Sequence, residues 1–228
     1  MKFPNLAVGM KKLFTAEVLG LIGSVLMILG TLFGTVLAKT AEDAVITGSE
    51  AGATTWMTGA MSTLIFVTGG AVVAIIGIIF KILGINSARK DESDSNFFTI
   101  AFYCVLGCLV LSVVSGIIGS FNVSPKISQT IKIASELLSL FVTYYVLYGI
   151  EDFAKKVDDT GLAQKAKATV YLVVGAFCFS VILDMLVSFV NLNATLGLIL
   201  VLIALIVEVV GYILYLSVLG RAKKTFAE

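Results

Sequence analysis

The chain has 228 residues, of which 58% are hydrophobic and 14% charged, against roughly 45–50% and about 25% in a typical soluble domain. That balance excludes an ordinary water-soluble fold and points to a membrane protein. Sixteen lysines and arginines nearly cancel fifteen aspartates and glutamates, so the net charge of +1 makes no nucleic-acid footprint, and the absence of histidine removes histidine metal ligands, histidine-based catalysis and an imidazole pH switch.

A bilayer core about 30 Å thick takes roughly 20 apolar residues of helix. Residues 1–12, with Phe3, Pro4, Leu6 and Met10 among lysines, form a leader expected along the inner interface, or a short frayed tail. The first span is predicted at 13–38, on the uncharged run from Val18 to Ala38. Its ending, Val36-Leu37-Ala38, has the small residue of a signal-peptide cleavage site, but about 21 apolar residues exceed the about 7–15 of a secretory segment, so a retained helix is expected. The second span, 58–83, follows Trp56, an outer-interface anchor, and the third is placed at 97–121. The fourth, 128–150, carries Lys132 and Glu136 near its start and is apolar thereafter. From Ala168 to Gly220 the chain runs 53 residues, about 80 Å as a single helix, so it must fold back. Asn191-Leu192-Asn193 supplies the turn between spans 168–190 and 194–219. The predicted fold is an all-α, polytopic six-helix bundle, one membrane domain over 13–228.

Orientation follows from lysine and arginine, which collect on the cytoplasmic side. Thirteen of the sixteen lie on the connections that share a side with the termini, and Lys39, Lys126 and Lys132 lie on the others. Both termini are therefore expected in the cytoplasm, with the chain a multi-pass protein of a cell membrane, read here as a bacterial plasma membrane. The three helical hairpins end alike: Gly84 leads to Ala88-Arg89-Lys90, Gly149 to Ala154-Lys155-Lys156 and Gly220 to Ala222-Lys223-Lys224. Internal repetition explains this, and so does the ordinary chemistry of helix ends at an inner interface.

Helices in lipid associate by close backbone approach, so small residues mark contacts. Gly30 with Gly34 in the first span and Ser112 with Gly116 in the third are such pairs, and Gly69-Gly70 is expected to loosen the second span. The plain reading is packing within the chain; the sharper one is a homo-oligomer or a partner membrane protein. All seven tyrosines fall in the inner halves of their spans, as an interfacial belt requires. Tyr144 with Tyr148, and Tyr212 with Tyr215, also share helix faces, the spacing of a tyrosine-lined inner vestibule. Cys104, Cys108 and Cys178 sit among apolar neighbours with no histidine beside them and read as small hydrophobes, so neither a metal nor any other cofactor is expected. Two sequons, at Asn122 and Asn193, lie on loops that hug the membrane and are read as chance matches.

Four acids lie inside spans, where a charge at the centre costs about 2.5–3.5 kcal/mol on insertion scales. Glu136 has Lys132 one turn away, and Glu17 has Lys12 or Lys81 in reach; Asp184 lies near the outer end of the fifth helix. Glu208 stands apart, near the middle of the sixth helix between Val207 and Val209 with no basic residue in its span. Such a carboxyl suits a proton-coupled or cation-binding step, or it ties the bundle by a hydrogen bond to a serine, threonine or tyrosine on a neighbouring helix.

The leading expectation is therefore a carrier or channel-like protein for a small solute or ion, with Glu208, Asp184, Glu136, Glu17, Tyr144, Tyr148, Tyr212 and Tyr215 as candidate binding residues. The alternative is a non-catalytic membrane subunit or scaffold, since the longest inner connection, Glu151 to Lys167, is too short to fold alone. Glu151-Lys155 and Asp152-Lys156 at i+4 spacing extend the fourth helix beyond its span, where it is available to a cytosolic partner. HExxH, GxSxG and phosphate-loop motifs are absent, so no enzyme is expected.

Overall fold

A computed structural model describes residues 3–47, 50–92, 94–119, 125–189 and 194–227, with side chains left out at 38, 40–58, 119, 125–126, 128–129, 132, 183–189, 194–198 and 201. The described residues are all-helical, in six helices: α1 (Pro4–Thr47), α2 (Glu50–Arg89), α3 (Phe97–Gly119), α4 (Pro125–Lys156), α5 (Thr160–Phe189) and α6 (Ala194–Thr225). All six are long and apolar enough to cross a bilayer, so the chain is a multi-pass membrane protein. Most helices overrun the predicted spans. At 44 residues α1 is about 66 Å long, because polar residues such as Lys11, Lys12 and Lys39 are good helix formers where the apolar run stops.

The chain divides into two compact units, Met1–Phe14 with Ile82–Glu228, and Thr15–Lys81. In the larger unit, α3 to α6 each pack against their neighbours in sequence, and α4 also meets α6. The leader is not frayed: from Pro4 it forms the first turns of α1, with Leu6, Met10 and Leu13 fully buried. Phe153 sits at the centre of this end. Its ring meets Phe3 at 4.9 Å and Phe226 at 6.5 Å, so both chain termini gather at one end of the unit. The end of α4 is consequently packed rather than projecting, and Glu151 itself is buried with Lys155 at 2.7 Å.

Acidic residues begin three of the helices. Glu92 accepts the Phe98 and Thr99 amides of α3 at 2.7 and 3.1 Å, and Asp91 accepts the Leu6 amide of α1 at 2.8 Å. Asp159 precedes α5 and accepts the Leu162 amide at 2.9 Å. Each satisfies amides that a helix start leaves free, at the end where the helix dipole favours negative charge. Between α4 and α5, Asp158 takes a left-handed conformation (φ 61°), which lets the Asp159 amide return to the Ala154 carbonyl at 2.9 Å and stops α4.

The smaller unit is a hairpin of α1 and α2. Its close approach is reciprocal at two glycines: a Cβ on Gly23 would stand 2.9 Å from the Gly70 carbonyl oxygen, and one on Gly70 would stand 2.8 Å from that of Gly23. Gly70 thus tightens the pair where loosening was expected, while Gly69 faces open space. Gly30 packs on Phe66 and Val67, and Gly34 on Thr63, so this ridge serves contact within the chain.

Candidate functional site

The predicted site residues do not converge. Glu17 in the smaller unit pairs with Lys81, Nζ to Oε1 2.7 Å, with the two side chains 11% and 24% exposed. This is the ion pair that their positions on facing helices allow, and it neutralises both groups locally. Lys12 turns instead to the Ser87 hydroxyl at 3.4 Å. Glu136 is exposed on α4, and its expected partner Lys132 lies outside the described side chains. The side chain of Asp184 is likewise outside the described residues, as are Trp56 and both sequons.

The tyrosines form no common lining. Tyr144 and Tyr148 meet at a tilt, with ring centroids 4.6 Å apart, beside Phe97 at 6.0 Å from Tyr148. Tyr215 is buried in the apolar core of the larger unit, and Tyr212 packs against that core. The four residues therefore act as packing groups near the terminal end. Ser112 donates back to the Cys108 carbonyl of its own helix at 2.8 Å. Both it and Gly116 are exposed, and a Cβ on Gly116 would meet nothing, so this ridge is open.

Glu208 has the most distinctive surroundings. The buried core of the larger unit ends at Val105 on α3, Val142 on α4, Ala176 on α5 and Gly211 on α6; among the described residues none farther from the termini in these helices is buried. Glu208 lies beyond that limit, near the middle of α6. The Ser180 hydroxyl of α5 donates to its Oε1 at 2.7 Å. Around them are exposed apolar side chains: Leu205 at 54%, Ile206 at 61%, Val209 at 49%, and Ile182 of α5 at 55%. Among the described residues the carboxyl has one donor, the neutral Ser180 hydroxyl of the neighbouring helix, and apolar side chains flank it along α6. A carboxylate accepts more bonds than one serine supplies, so this group retains acceptor capacity at a depth where water is scarce.

Two further polar clusters belong to the terminal end; the Asp152-Lys156 pair was expected from its spacing, whereas the bonds to Asp159 and the Ser95 contact were not. Asp159 receives Arg221 at 2.8 Å and the Thr225 hydroxyl at 3.1 Å as well as the Leu162 amide. Burial works to raise its pKa, but the amide, the hydroxyl and the guanidinium together hold the carboxyl below the usual carboxylate range. Asp152 joins Lys156 at 3.0 Å and accepts the Ser95 hydroxyl at 3.1 Å, which ties the connection between α2 and α3 to α4. Asp159 stands one residue before the observed start of α5 at Thr160, eight residues ahead of the span predicted from 168, so the cap went unread although an acid at that position is the usual signal.

Among the described residues no group of three metal-ligating side chains gathers, and the three cysteines form no disulfide, half-buried at Cys104 and Cys108 and exposed at Cys178. Comparison with protein-family models, with curated proteins and with solved structures finds no match to this chain.

Proposed function

We propose that the protein is a non-catalytic membrane subunit or scaffold that binds a partner within the bilayer through the exposed face of α5 and α6. The observation that carries this reading is Glu208: a carboxyl near the middle of a membrane-spanning helix, exposed among Leu205, Ile206 and Val209, with Ser180 as its donor. A permeation path needs polar groups in succession. Here Glu136 and Glu208 stand exposed on separate helices, while Tyr144, Tyr148 and Tyr215 are engaged in packing. An intramembrane acid is costly unless a partner offsets it, and Glu208, whose one donor among the described residues is Ser180, favours a surface that is covered in the assembled state. Charge distribution supports placing both termini on the cytoplasmic side of the membrane.

A carrier or channel for a small solute or ion is the second reading. It is favoured by the early end of the buried core at Val105, Val142, Ala176 and Gly211, beyond which the helices of the larger unit are incompletely packed. Purification in mild detergent with mass determination separates the two. A stoichiometric partner or a defined oligomer supports the subunit. A monomer that supports solute uptake in vesicles, lost on Glu208→Gln, supports the carrier and overturns the subunit.

A further inference from the structure

Glu208 also constrains the chemistry of its partner, an inference that rests on the subunit reading. Ser180 occupies Oε1, and no other described group donates to the carboxyl. The side chains one turn either way on the same helix are Ala204, Leu205, Gly211 and Tyr212, and the nearest hydroxyl among them, that of Tyr212, belongs to a ring packed against the core. The residues next to Ser180 are Phe179 and Val181. Among the described residues, then, one donor meets the carboxyl of Glu208, and its further acceptor capacity is open to a group from outside the chain.

A second copy of the chain is poorly equipped to meet it. No lysine or arginine lies within two turns of the midpoint of any of the six helices, whereas Glu208 lies close to the midpoint of α6. Two copies side by side in one orientation would bring carboxyl to carboxyl at this depth, with no cation between them. The exposed threonines Thr31 and Thr68 already donate to carbonyls of their own helices. Charge complementarity thus selects a different chain.

We infer that the face of α6 around Glu208 docks a transmembrane helix of another protein that carries an arginine or lysine at mid-bilayer depth. Leu205, Ile206 and Val209 supply the apolar contact on either side, and Ser180 holds the carboxyl in place while the incoming cation takes the free oxygen. An arginine fits best, because its planar fork donates to both oxygens of a carboxylate and carries its own charge into hydrocarbon already paired. Either ion alone costs more in the bilayer than the two paired, so the contact is selective for a cation at this depth.

The test uses the full-length protein reconstituted in phosphatidylcholine vesicles, with a fluorophore on the protein and an acceptor on a synthetic 23-residue leucine-rich helix. Helices with arginine, glutamine or leucine at the central position are compared by energy transfer. The inference expects the arginine helix to associate at least tenfold more tightly than the leucine helix, an advantage lost in Glu208→Gln and reduced in Ser180→Ala. Equal association of the three helices, glutamine matching arginine, or an arginine advantage that persists in Glu208→Gln would each overturn it. Energy transfer between two copies of the protein, abolished by Glu208→Gln, would also overturn it by identifying the second copy as the occupant. None of these results depends on a native partner. Failure here with a stoichiometric partner still found in mild detergent rejects the cationic chemistry alone, whereas a Glu208-dependent uptake rejects the subunit reading beneath it.

Discussion

Glu17 and Lys81 form a 2.7 Å ion pair between α1 and α2, with side chains only 11% and 24% exposed. Removing one partner strands the other charge in a weakly solvated place. Glu17→Gln should lower stability by about 2 kcal/mol, less than the about 3–5 kcal/mol of a fully buried pair because Lys81 keeps some access to water. The double variant Glu17→Leu with Lys81→Met should recover most of the loss. Thermal unfolding in mild detergent reads both, and a double variant as unstable as the single one would contradict the pairing.

The hairpin of α1 and α2 depends on where its glycines fall. Gly23 meets the backbone of Gly70, while Gly20, less than one turn away, meets nothing within 4 Å. Gly23→Leu should separate the helices and cost on the order of 2–3 kcal/mol through overpacking. Gly20→Leu should be within about 0.5 kcal/mol of the parent. The same unfolding measurement distinguishes them, and equal tolerance at both positions would place the helix contact elsewhere.

Asp159 makes the start of α5 and the end of α6 sensitive to acid. Its carboxyl titrates below the usual range, so its stabilising contribution is complete above the unfolded value of about 3.9 and is lost as pH falls through the lower folded value. Asp159→Ala should cost about 1 kcal/mol at neutral pH as a lost helix cap, with little added by Arg221, which is 45% exposed. Below about pH 4 the parent should lose stability more steeply than this variant; parallel acid profiles would show that the carboxylate is not responsible.

Much of the architecture was legible because lipid enforces it. Apolar runs located all six helices, three of them free of charge, and the 53 residues from Ala168 to Gly220 are too long for one span, which agrees with separate α5 and α6; the predicted turn at 191–193 lies outside the described residues. What hydropathy could not supply was helix rotation. A hydroxyl partner for Glu208 was foreseen as one possibility, but nothing in a uniformly apolar α5 marks Ser180 as the donor. The same blindness put Gly70 down as a loosening element, because a glycine reads identically whether it faces a backbone or open space. Asp91 capping α1 from 85 residues away is a tertiary relationship with no local signal, whereas Asp159 and Glu92 stand just before helices and carry one. Spacing brought Tyr144 and Tyr148 to one face, where their rings meet at 4.6 Å, yet spacing does not tell a packed face from an open one.

The central claim is that the middle of α6 presents Glu208 to hydrocarbon or to a partner helix rather than to an aqueous path. Collision accessibility of a nitroxide at Glu208→Cys, in a cysteine-free protein reconstituted alone in vesicles, tests it most directly, with labels at Ile206 and Val218 for comparison. The account predicts strong collision with oxygen and weak collision with a water-soluble nickel complex at 208 and 206, and weak collision with both at the buried Val218. Strong nickel collision at 208 would put the carboxyl in a water-filled passage and contradict the account.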